Sequence, residues 1–237
     1  MQLFWGDGNG SQMILQGDEA RHCTKVLRKQ IGDTIEVING SGNLFKCAIV
    51  GITKREVLAQ VTAQVPHFGQ LPYTLHLAVA PTKNTDRFEW LLEKATEMGI
   101  TSITPLLTAH VERTRLREER LQRILIAAAK QSYKGTIPEL RPATTFKAFV
   151  EAANSDQKFI SHCYDSPRKA LSTALIQHKS VTICIGPESD FSPDEVDLAT
   201  AKGFAPVHLG NSRLRTETAG IVAVAAVYSF YAAFKTP

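Results

Sequence analysis

The sequence of 237 residues is poor in cysteine, and the spacing of its four cysteines argues against a metal site. Cys23, Cys47, Cys163 and Cys184 form no CxxC pair, and none has a histidine partner at the spacing of a zinc site. In a chain without an export signal, such cysteines are most simply free thiols in a reducing compartment. We therefore expect no bound metal.

The sequence also lacks a secretory signal and a membrane-spanning segment. Its first residues, MQLFWGDGNG, contain no basic stretch followed by an apolar one, so we predict a cytoplasmic protein with no membrane partner. The most apolar segment, residues 219–234, is shorter than the roughly 20 residues that a bilayer requires. Because a helix that is apolar all round is buried, we predict a buried interface helix here.

Three common motifs are missing as well. No GxGxxG follows a predicted strand and no Walker A sequence occurs, which leaves nicotinamide and nucleoside triphosphate cofactors without support. There is no Gly-x-Ser-x-Gly elbow of a hydrolase. What is present is the composition of an ordinary globular protein, with 43% hydrophobic and 21% charged residues.

Two regions with different patterns flank residues 66–72, where two prolines bracket a glycine. The first region, residues 1–70, alternates polar and apolar residues around turns and predicts a small β-barrel with one short helix. Its predicted strands cover residues 34–39, 44–50 and 56–65, and its helix covers residues 18–29.

In the second region, residues 71–237, strands alternate with helices, which predicts a parallel α/β sheet. The predicted strands cover residues 75–80, 101–107, 159–163, 181–185 and 207–209. Apolar residues at helical spacing predict helices over 88–98 and 121–128. Ser166-Pro167 is expected to begin a third helix, and a capping box at Ser192 a fourth, which ends at Gly203.

Two loops that follow predicted strands carry the candidate chemistry, because ligands of open α/β sheets bind at the carboxyl ends of the strands. In residues 185–192, Gly186 lets the backbone approach a flat ring closely, although a plain turn explains it equally well. In residues 209–219, Arg215 and Glu217 lie at the start of the apolar segment. Charges there are costly unless they pair or serve chemistry, so a structural Arg215–Glu217 pair is the alternative.

The basic residues are concentrated. Residues 111–134 contain seven Lys/Arg against three Glu, in a chain whose net charge is +4. Arg21, Lys25 and Arg28 are spaced so that they share one helix face. Such clusters are typical of nucleic-acid contacts, and a solvated surface is the alternative.

In order and spacing, these segments resemble the RsmE family of the SPOUT superfamily. The resemblance covers nearly the whole chain. It is carried by His22 with Val26-Leu27-Arg28, Gly32-Asp33, Gly40-x-Gly42, FEWLLEKATEMGI at 88–100, AAKQS at 128–132 followed by Ile137-Pro138, IGPE at 185–188 and LRTETA at 214–219. The chain departs from the family at Ser189 and Asp190, where two glycines usually follow Gly-Pro-Glu.

The resemblance implies a PUA-like β-barrel followed by a SPOUT α/β domain with a C-terminal trefoil knot, working as a homodimer. It implies methylation of N3 of a uridine in small-subunit (16S) ribosomal RNA by S-adenosyl-L-methionine, on free RNA or the small ribosomal subunit. A SPOUT methylase with another RNA target and a non-catalytic ribosome-assembly protein are the alternatives.

On this basis each candidate residue receives an expected role. Arg215 is expected to stabilise the uracil anion, and Glu217 to orient Arg215 or accept the proton. The residues expected to bind the cofactor are His162, Cys163, Tyr164, Gly186, Pro187, Glu188, Leu209, Gly210, Leu214, Thr216 and Ala219. The residues expected to bind RNA are Arg21, Lys25, Arg28, Arg113 and Arg115.

Overall fold

The computed structural model describes residues 2–8 and 10–233, which form two units. The first unit comprises the chain up to Gln70 together with Ile126–Ile137. The second comprises Leu71–Leu125 and the chain from Pro138 onward. Residues 126–137, which the sequence pattern assigns to the second region, therefore group with the first unit.

A six-stranded mixed sheet forms the first unit. Its strands are β1 (Leu3–Trp5), β2 (Asp7–Gly8), β3 (Gln12–Gln16), β4 (Thr34–Ile38), β5 (Leu44–Ile52) and β6 (Glu56–Val65). They lie in the order β1-β4-β5-β6-β3-β2, with β1 parallel to β4 and the other neighbours antiparallel. The three strands predicted in this region are confirmed, whereas β1 to β3 were not predicted.

This sheet is a curled half-barrel, which confirms the small β-barrel predicted for this region and shows it in an open form. Its two edge strands, β1 and β2, do not pair with each other among the described residues. They are joined by Gly6 alone, and one residue is too short a connection for the chain to reverse and pair. Two register shifts between β5 and β6 bend the sheet around a core that includes Phe4, Met13 and Phe45.

The short helix predicted in the first unit is present but irregular. It begins as α1 (Gly17–Arg21) and continues as a π-helix over His22–Val26. Arg28, just beyond it, has a φ of 54°. Arg21, Lys25 and Arg28 are all exposed along this segment.

An eight-stranded sheet forms the centre of the second unit. Its strands are β7 (Leu75–Val79), β8 (Ser102–Leu107), β9 (Glu139–Leu140), β10 (Thr144–Thr145), β11 (Gln157–Ser161), β12 (Lys169–Ala170), β13 (Val181–Ile185) and β14 (Ala205–His208). The order is β10-β8-β7-β13-β11-β14-β12, with β9 beside β8, and all of these pairings are parallel. The predicted parallel sheet and all five predicted strands are therefore confirmed.

Six further helices follow the strands. They are α2 (Thr85–Glu97), α3 (Glu118–Gln131), α4 (Phe146–Ala152), α5 (Leu171–Ala174), α6 (Pro193–Ala201) and α7 (Thr216–Ala232). The predicted capping box is present at α6, where Ser192 and Glu195 cap each other's backbone N–H groups. The helix predicted to begin at Ser166 is wrong, because helical structure begins only at Leu171.

Helix α7 packs one face against α2, β7 and β13 through residues that include Ala223, Val224 and Val227. A Cβ at Gly220 would lie 2.7 Å from Leu91 Cδ1, so only glycine allows α2 this close. The end of the apolar segment, Phe234, lies outside the described residues. Within residues 2–8 and 10–233, no helix is both long and apolar enough to cross a bilayer.

Candidate active site

Three loops of the second unit follow the carboxyl ends of neighbouring strands in its sheet. Strand β11 lies between β13 and β14, with Ser161 in register with Ile185 on one side and Val207 on the other. The carboxyl ends of these strands are therefore adjacent, and the loops that follow them meet. We refer to them as the β11 loop (residues 162–168), the β13 loop (residues 186–192) and the β14 loop (residues 209–215).

The three loops and the start of α7 surround a cavity of about 700 Å³. Its size is within the range of small-molecule sites. Every residue expected to bind the cofactor lines it: His162, Cys163, Tyr164, Gly186, Pro187, Glu188, Leu209, Gly210, Leu214, Thr216 and Ala219. Arg215 lines it as well.

The β13 loop is held from three sides. Gly186 is packed under Phe191, whose ring carbon would lie 3.1 Å from a Cβ at that position. The Thr216 hydroxyl donates to the Gly186 carbonyl across 3.1 Å, which ties the start of α7 to this loop. The Glu188 carboxylate accepts the Lys83 backbone N–H at 3.1 Å. The loop is thus fixed in place while its outer residues, Glu188 and Ser189, remain exposed.

His162 is buried at the cavity, with 4% of its surface exposed. Burial, and secondarily the nearby Arg168, lowers its pKa, so the ring is neutral at pH 7. Its Nδ1 lies 3.2 Å from the Tyr164 backbone N–H, which donates to it. The proton of the neutral ring therefore sits on Nε2, which has no partner among the described residues. His162 can donate a hydrogen bond, and its basic nitrogen is already occupied.

The neighbouring residues of the β11 loop have more exposed side chains. Cys163 is exposed, and partial burial raises the pKa of its thiol, as does Asp190. The thiol is therefore protonated at neutral pH. The Tyr164 hydroxyl donates to the Phe191 carbonyl at 2.6 Å, which links the β11 and β13 loops.

The β14 loop supplies the cation of the cavity that was predicted to be catalytic. Gly210 has a φ of 130°, which only glycine adopts readily, and a Cβ there would meet open space. Arg215 is the N-cap residue of α7, with extended backbone. Its guanidinium is exposed and forms no ion pair or hydrogen bond among the described residues. It is therefore available to an anion in the cavity.

Glu217 is not part of this cavity lining. It is 6% exposed, and its Oε1 lies 3.7 Å from Arg87 Nε on α2, while Oε2 has no partner among the described residues. The structure thus pairs Glu217 with Arg87 and does not bring it together with Arg215. No periodicity or motif in the sequence connects residues 87 and 217.

Four ionisable residues of the cavity lining were not among the predicted site residues. Arg168 donates to the His162 carbonyl, and Arg213 adds a second exposed cation from the β14 loop. His208 lines the cavity with a buried Nδ1 that has no partner in the described part of the chain. Asp190 joins two of the loops. Arg168, Asp190 and Arg213 follow predicted strands and His208 lies within one, and these positions are the signal that could have indicated them.

The predicted RNA-binding residues lie in both units. In the first unit, Arg21 and Lys25 line a second cavity, of about 1150 Å³, and Arg28 is exposed outside it. Lys54 and Arg55, in the turn between β5 and β6, line the same cavity and were not predicted. In the second unit, Arg115 is exposed, whereas the half-buried Arg113 donates to the Lys83 carbonyl at 3.1 Å. Among the described residues, no group of three or more His, Cys, Asp or Glu could hold a metal ion.

Comparisons with known proteins agree with this arrangement. An RNA methyltransferase domain family matches residues 69–228, and an RNA methyltransferase PUA domain family matches residues 15–62. A ribosomal RNA small subunit methyltransferase E of Buchnera aphidicola subsp. Acyrthosiphon pisum (strain APS) is 31% identical, over 95% of this chain and 91% of its own.

Solved structures similar to this chain also include ribosomal RNA methyltransferases. The crystal structure of a probable rRNA-methyltransferase from Porphyromonas gingivalis is 35% identical with a TM-score of 0.92, and the match covers 99% of this chain and 100% of that one. A ribosomal RNA small subunit methyltransferase E from Neisseria gonorrhoeae, solved bound to S-adenosyl methionine, is 26% identical with a TM-score of 0.82. That match covers 98% of both chains.

Proposed function

Because the chain belongs to the ribosomal RNA small subunit methyltransferase E (RsmE) family, we propose that it methylates N3 of a uridine in 16S ribosomal RNA, with Arg215 as its catalytic cation. The predicted family, the PUA-like unit and the parallel α/β unit are confirmed. So is the prediction of an S-adenosylmethionine-dependent RNA methyltransferase.

The cavity residues fit S-adenosylmethionine. The cofactor supplies an electrophilic methyl group on a sulfonium. The loops around the cavity offer backbone groups at Gly186 and Gly210. His162 offers a buried Nε2–H that has no acceptor among the described residues. A buried donor without a partner is unfavourable, and a ligand oxygen or nitrogen would satisfy it. His162 is therefore proposed as a hydrogen-bond donor to the cofactor, and its neutral tautomer excludes Nε2 as the proton acceptor.

Arg215 is the observation that carries the catalytic proposal. The N3 nitrogen of uridine becomes nucleophilic as its proton leaves, which places negative charge on the O2–N3–O4 edge. The Arg215 guanidinium is exposed, lines the cofactor cavity and has no partner among the described residues, so it can stabilise that anion. No group in the described part of the chain has to be displaced first, so Arg215 is available to the substrate.

Glu217 is proposed to act through structure. Its buried carboxylate lies in the first turn of α7, where the helix dipole favours negative charge, and it pairs with Arg87. It thereby fixes the helix start that carries Arg215 and Thr216. The role of a direct proton acceptor has no geometric support, since Glu217 does not line the cavity.

RNA binding is proposed to involve exposed cations of both units. Arg21, Lys25, Lys54 and Arg55 around one cavity of the first unit provide a basic surface for phosphates. In the second unit, Arg115 is exposed and makes no ion pair within residues 2–8 and 10–233, so it can take the same role, while Arg113 contributes less because its Nε already donates to Lys83. The ribosomal RNA or the small ribosomal subunit is the proposed partner, which places the protein in the cytoplasm.

A homodimer is proposed from helix α7. Ile221, Val222 and Ala225 remain only half-buried on this apolar helix, and Tyr228 is 42% exposed. Trp90 on the neighbouring α2 is 44% exposed. A second copy of the chain would cover this apolar surface. The trefoil knot and the division of the chain near residue 70 into two domains likewise remain proposals, taken from the resemblance and the sequence pattern.

The test is methyl transfer in vitro. Small ribosomal subunits and free 16S ribosomal RNA, prepared from a strain without this modification, are incubated with labelled S-adenosylmethionine, and the modified nucleotide is mapped. We expect Arg215→Ala to lower the rate about 100-fold or more while cofactor affinity is kept. Lys147→Ala, an exposed cation on α4, is the control and should act like the wild type. Full activity of Arg215→Ala would contradict the catalytic role, and a mark elsewhere would favour another RNA target.

A further inference from the structure

Asp190 is the central residue of a group of hydrogen bonds that joins two loops of the cavity. Its Oδ2 accepts the Cys163 backbone N–H at 2.7 Å, and its Oδ1 accepts the Phe191 N–H at 2.8 Å. Its own N–H donates to the Pro187 carbonyl at 3.0 Å. One half-buried carboxylate therefore holds the β13 loop in its turn and attaches the β11 loop to it.

The backbone of Asp190 has a conformation that is unusual for a residue with a side chain. Its φ is +70°, in the left-handed region that glycine adopts without steric strain and that aspartate tolerates less well. Glycine would suit the backbone here but has no carboxylate to offer Cys163. The chain thus keeps an acidic side chain at a position where the backbone alone favours glycine, and the observed strain suggests a function.

We propose that Asp190 is a positioning residue that orders the β11 and β13 loops before the cofactor binds. A hydrogen bond from an amide to a carboxylate is charge-assisted and stronger than a neutral one. A second link between the same loops, from the Tyr164 hydroxyl to the Phe191 carbonyl, acts beside it. Loops that are already ordered lose less conformational entropy when a ligand binds, so affinity is higher.

Contacts outside the two loops extend the same arrangement. The His110 ring nitrogen Nδ1 lies 3.1 Å from the Asp190 carbonyl oxygen, which connects the segment after β8 to the β13 loop. Because Cys163, Tyr164 and Asp190 all line the cavity, the ordered region is the cavity wall itself. The inference rests on the proposed function in that S-adenosylmethionine is taken as the ligand of this cavity.

The experiment separates the carboxylate from the backbone. Asp190→Gly removes the side chain and relieves the left-handed φ, whereas Asp190→Ala removes it and keeps the strain. Asp190→Asn keeps an oxygen acceptor without the charge. Ser189→Gly, at the exposed adjacent position, is the matched control for added loop flexibility. Melting temperatures, S-adenosylmethionine affinity by calorimetry and exchange of the Cys163 amide in the cofactor-free protein are measured.

We expect Asp190→Gly to raise the dissociation constant about ten-fold and to expose the Cys163 amide to exchange, without a lower melting temperature. Asp190→Asn should give a smaller rise, and Ser189→Gly should match the wild type. Wild-type affinity and exchange in Asp190→Gly, with weaker binding only in Asp190→Ala, would overturn the proposal. If the wild type bound no S-adenosylmethionine, the proposed function would fail, and the exchange measurement would still decide whether Asp190 orders the loops.

Discussion

Arg87 on α2 and Glu217 on α7 form an ion pair whose two members differ sharply in exposure. The Arg87 side chain is 40% exposed and that of Glu217 is 8% exposed, with 3.7 Å between Nε and Oε1. The desolvated carboxylate depends on the arginine, because a buried charge without a partner is unfavourable. The pair therefore connects a buried charge beside the cavity to the outer surface of the second unit.

Removal of the arginine should destabilise the protein more than removal of both charges. We expect Arg87→Ala to lower the free energy of unfolding by about 1–2 kcal/mol, reduced from the value for a fully buried pair because Arg87 is partly in water. The double variant Arg87→Met with Glu217→Gln should recover most of this loss. Chemical denaturation checks both, with Lys147→Ala as control. Equal stability of Arg87→Ala and the wild type would show that the pair is unimportant.

Acid should weaken the second unit through His76. Its ring is buried between the Ser102 and Thr104 hydroxyls, at 2.9 and 2.8 Å, and burial lowers its pKa from 6.5 to about 4. Arg141 lowers this pKa further, and Glu139 opposes it. The folded state therefore binds fewer protons than the unfolded state between pH 6.5 and 4, and stability falls as the pH decreases through that window.

The size of this effect can be measured by comparison with a variant. This lowering of the His76 pKa corresponds to a decrease of about 2 kcal/mol in the free energy of unfolding between pH 7 and pH 5. His76→Gln keeps hydrogen-bonding groups but does not titrate, so its stability should depend less on pH by that amount. Urea unfolding at the two pH values gives the difference. The same pH dependence in both proteins would exclude His76 as its source.

The salt dependence of RNA binding should report on the basic surface of the first unit. Lys54 and Arg55 make no ion pair among the described residues, so both are free to neutralise phosphates. Loss of both should reduce the slope of log affinity against log salt by roughly 1 to 2, since each contact to single-stranded RNA contributes about 0.7. Titrations of Lys54→Ser/Arg55→Ser at several salt concentrations measure it. Lys46→Ser, exposed on β5 outside the cavity, should leave the slope unchanged.

The fold of the second unit could be predicted from sequence further than that of the first. Its strands are short apolar runs followed by helices, and this alternation predicts a parallel sheet. The first unit contains β1 and β2, of three and two residues, which are too short to produce an alternating pattern. Whether these two strands pair depends on the one-residue connection at Gly6, which composition does not reveal.

The candidate site could be predicted where a motif and a strand end coincide, as at Gly186 and Arg215. Glu217 was different, because its partner Arg87 is 130 positions away and only the packing of α2 on α7 brings them together. In the sequence, Asp190 stands out only as a departure from the glycine that is usual in the family. Its role depends on the hydrogen bond from the Cys163 amide, a contact between two loops that no local sequence pattern encodes.

The position of β11 between β13 and β14 has a consequence for the order of events during synthesis. Strand β11 is made before either neighbour, and β14 with the start of α7 is made after both β11 and β13. A nascent chain released only as far as residue 204 contains the half-barrel and most of the parallel strands but lacks one wall of the cavity. Translation of residues 205–219, after the preceding strands have formed, thus completes the cavity.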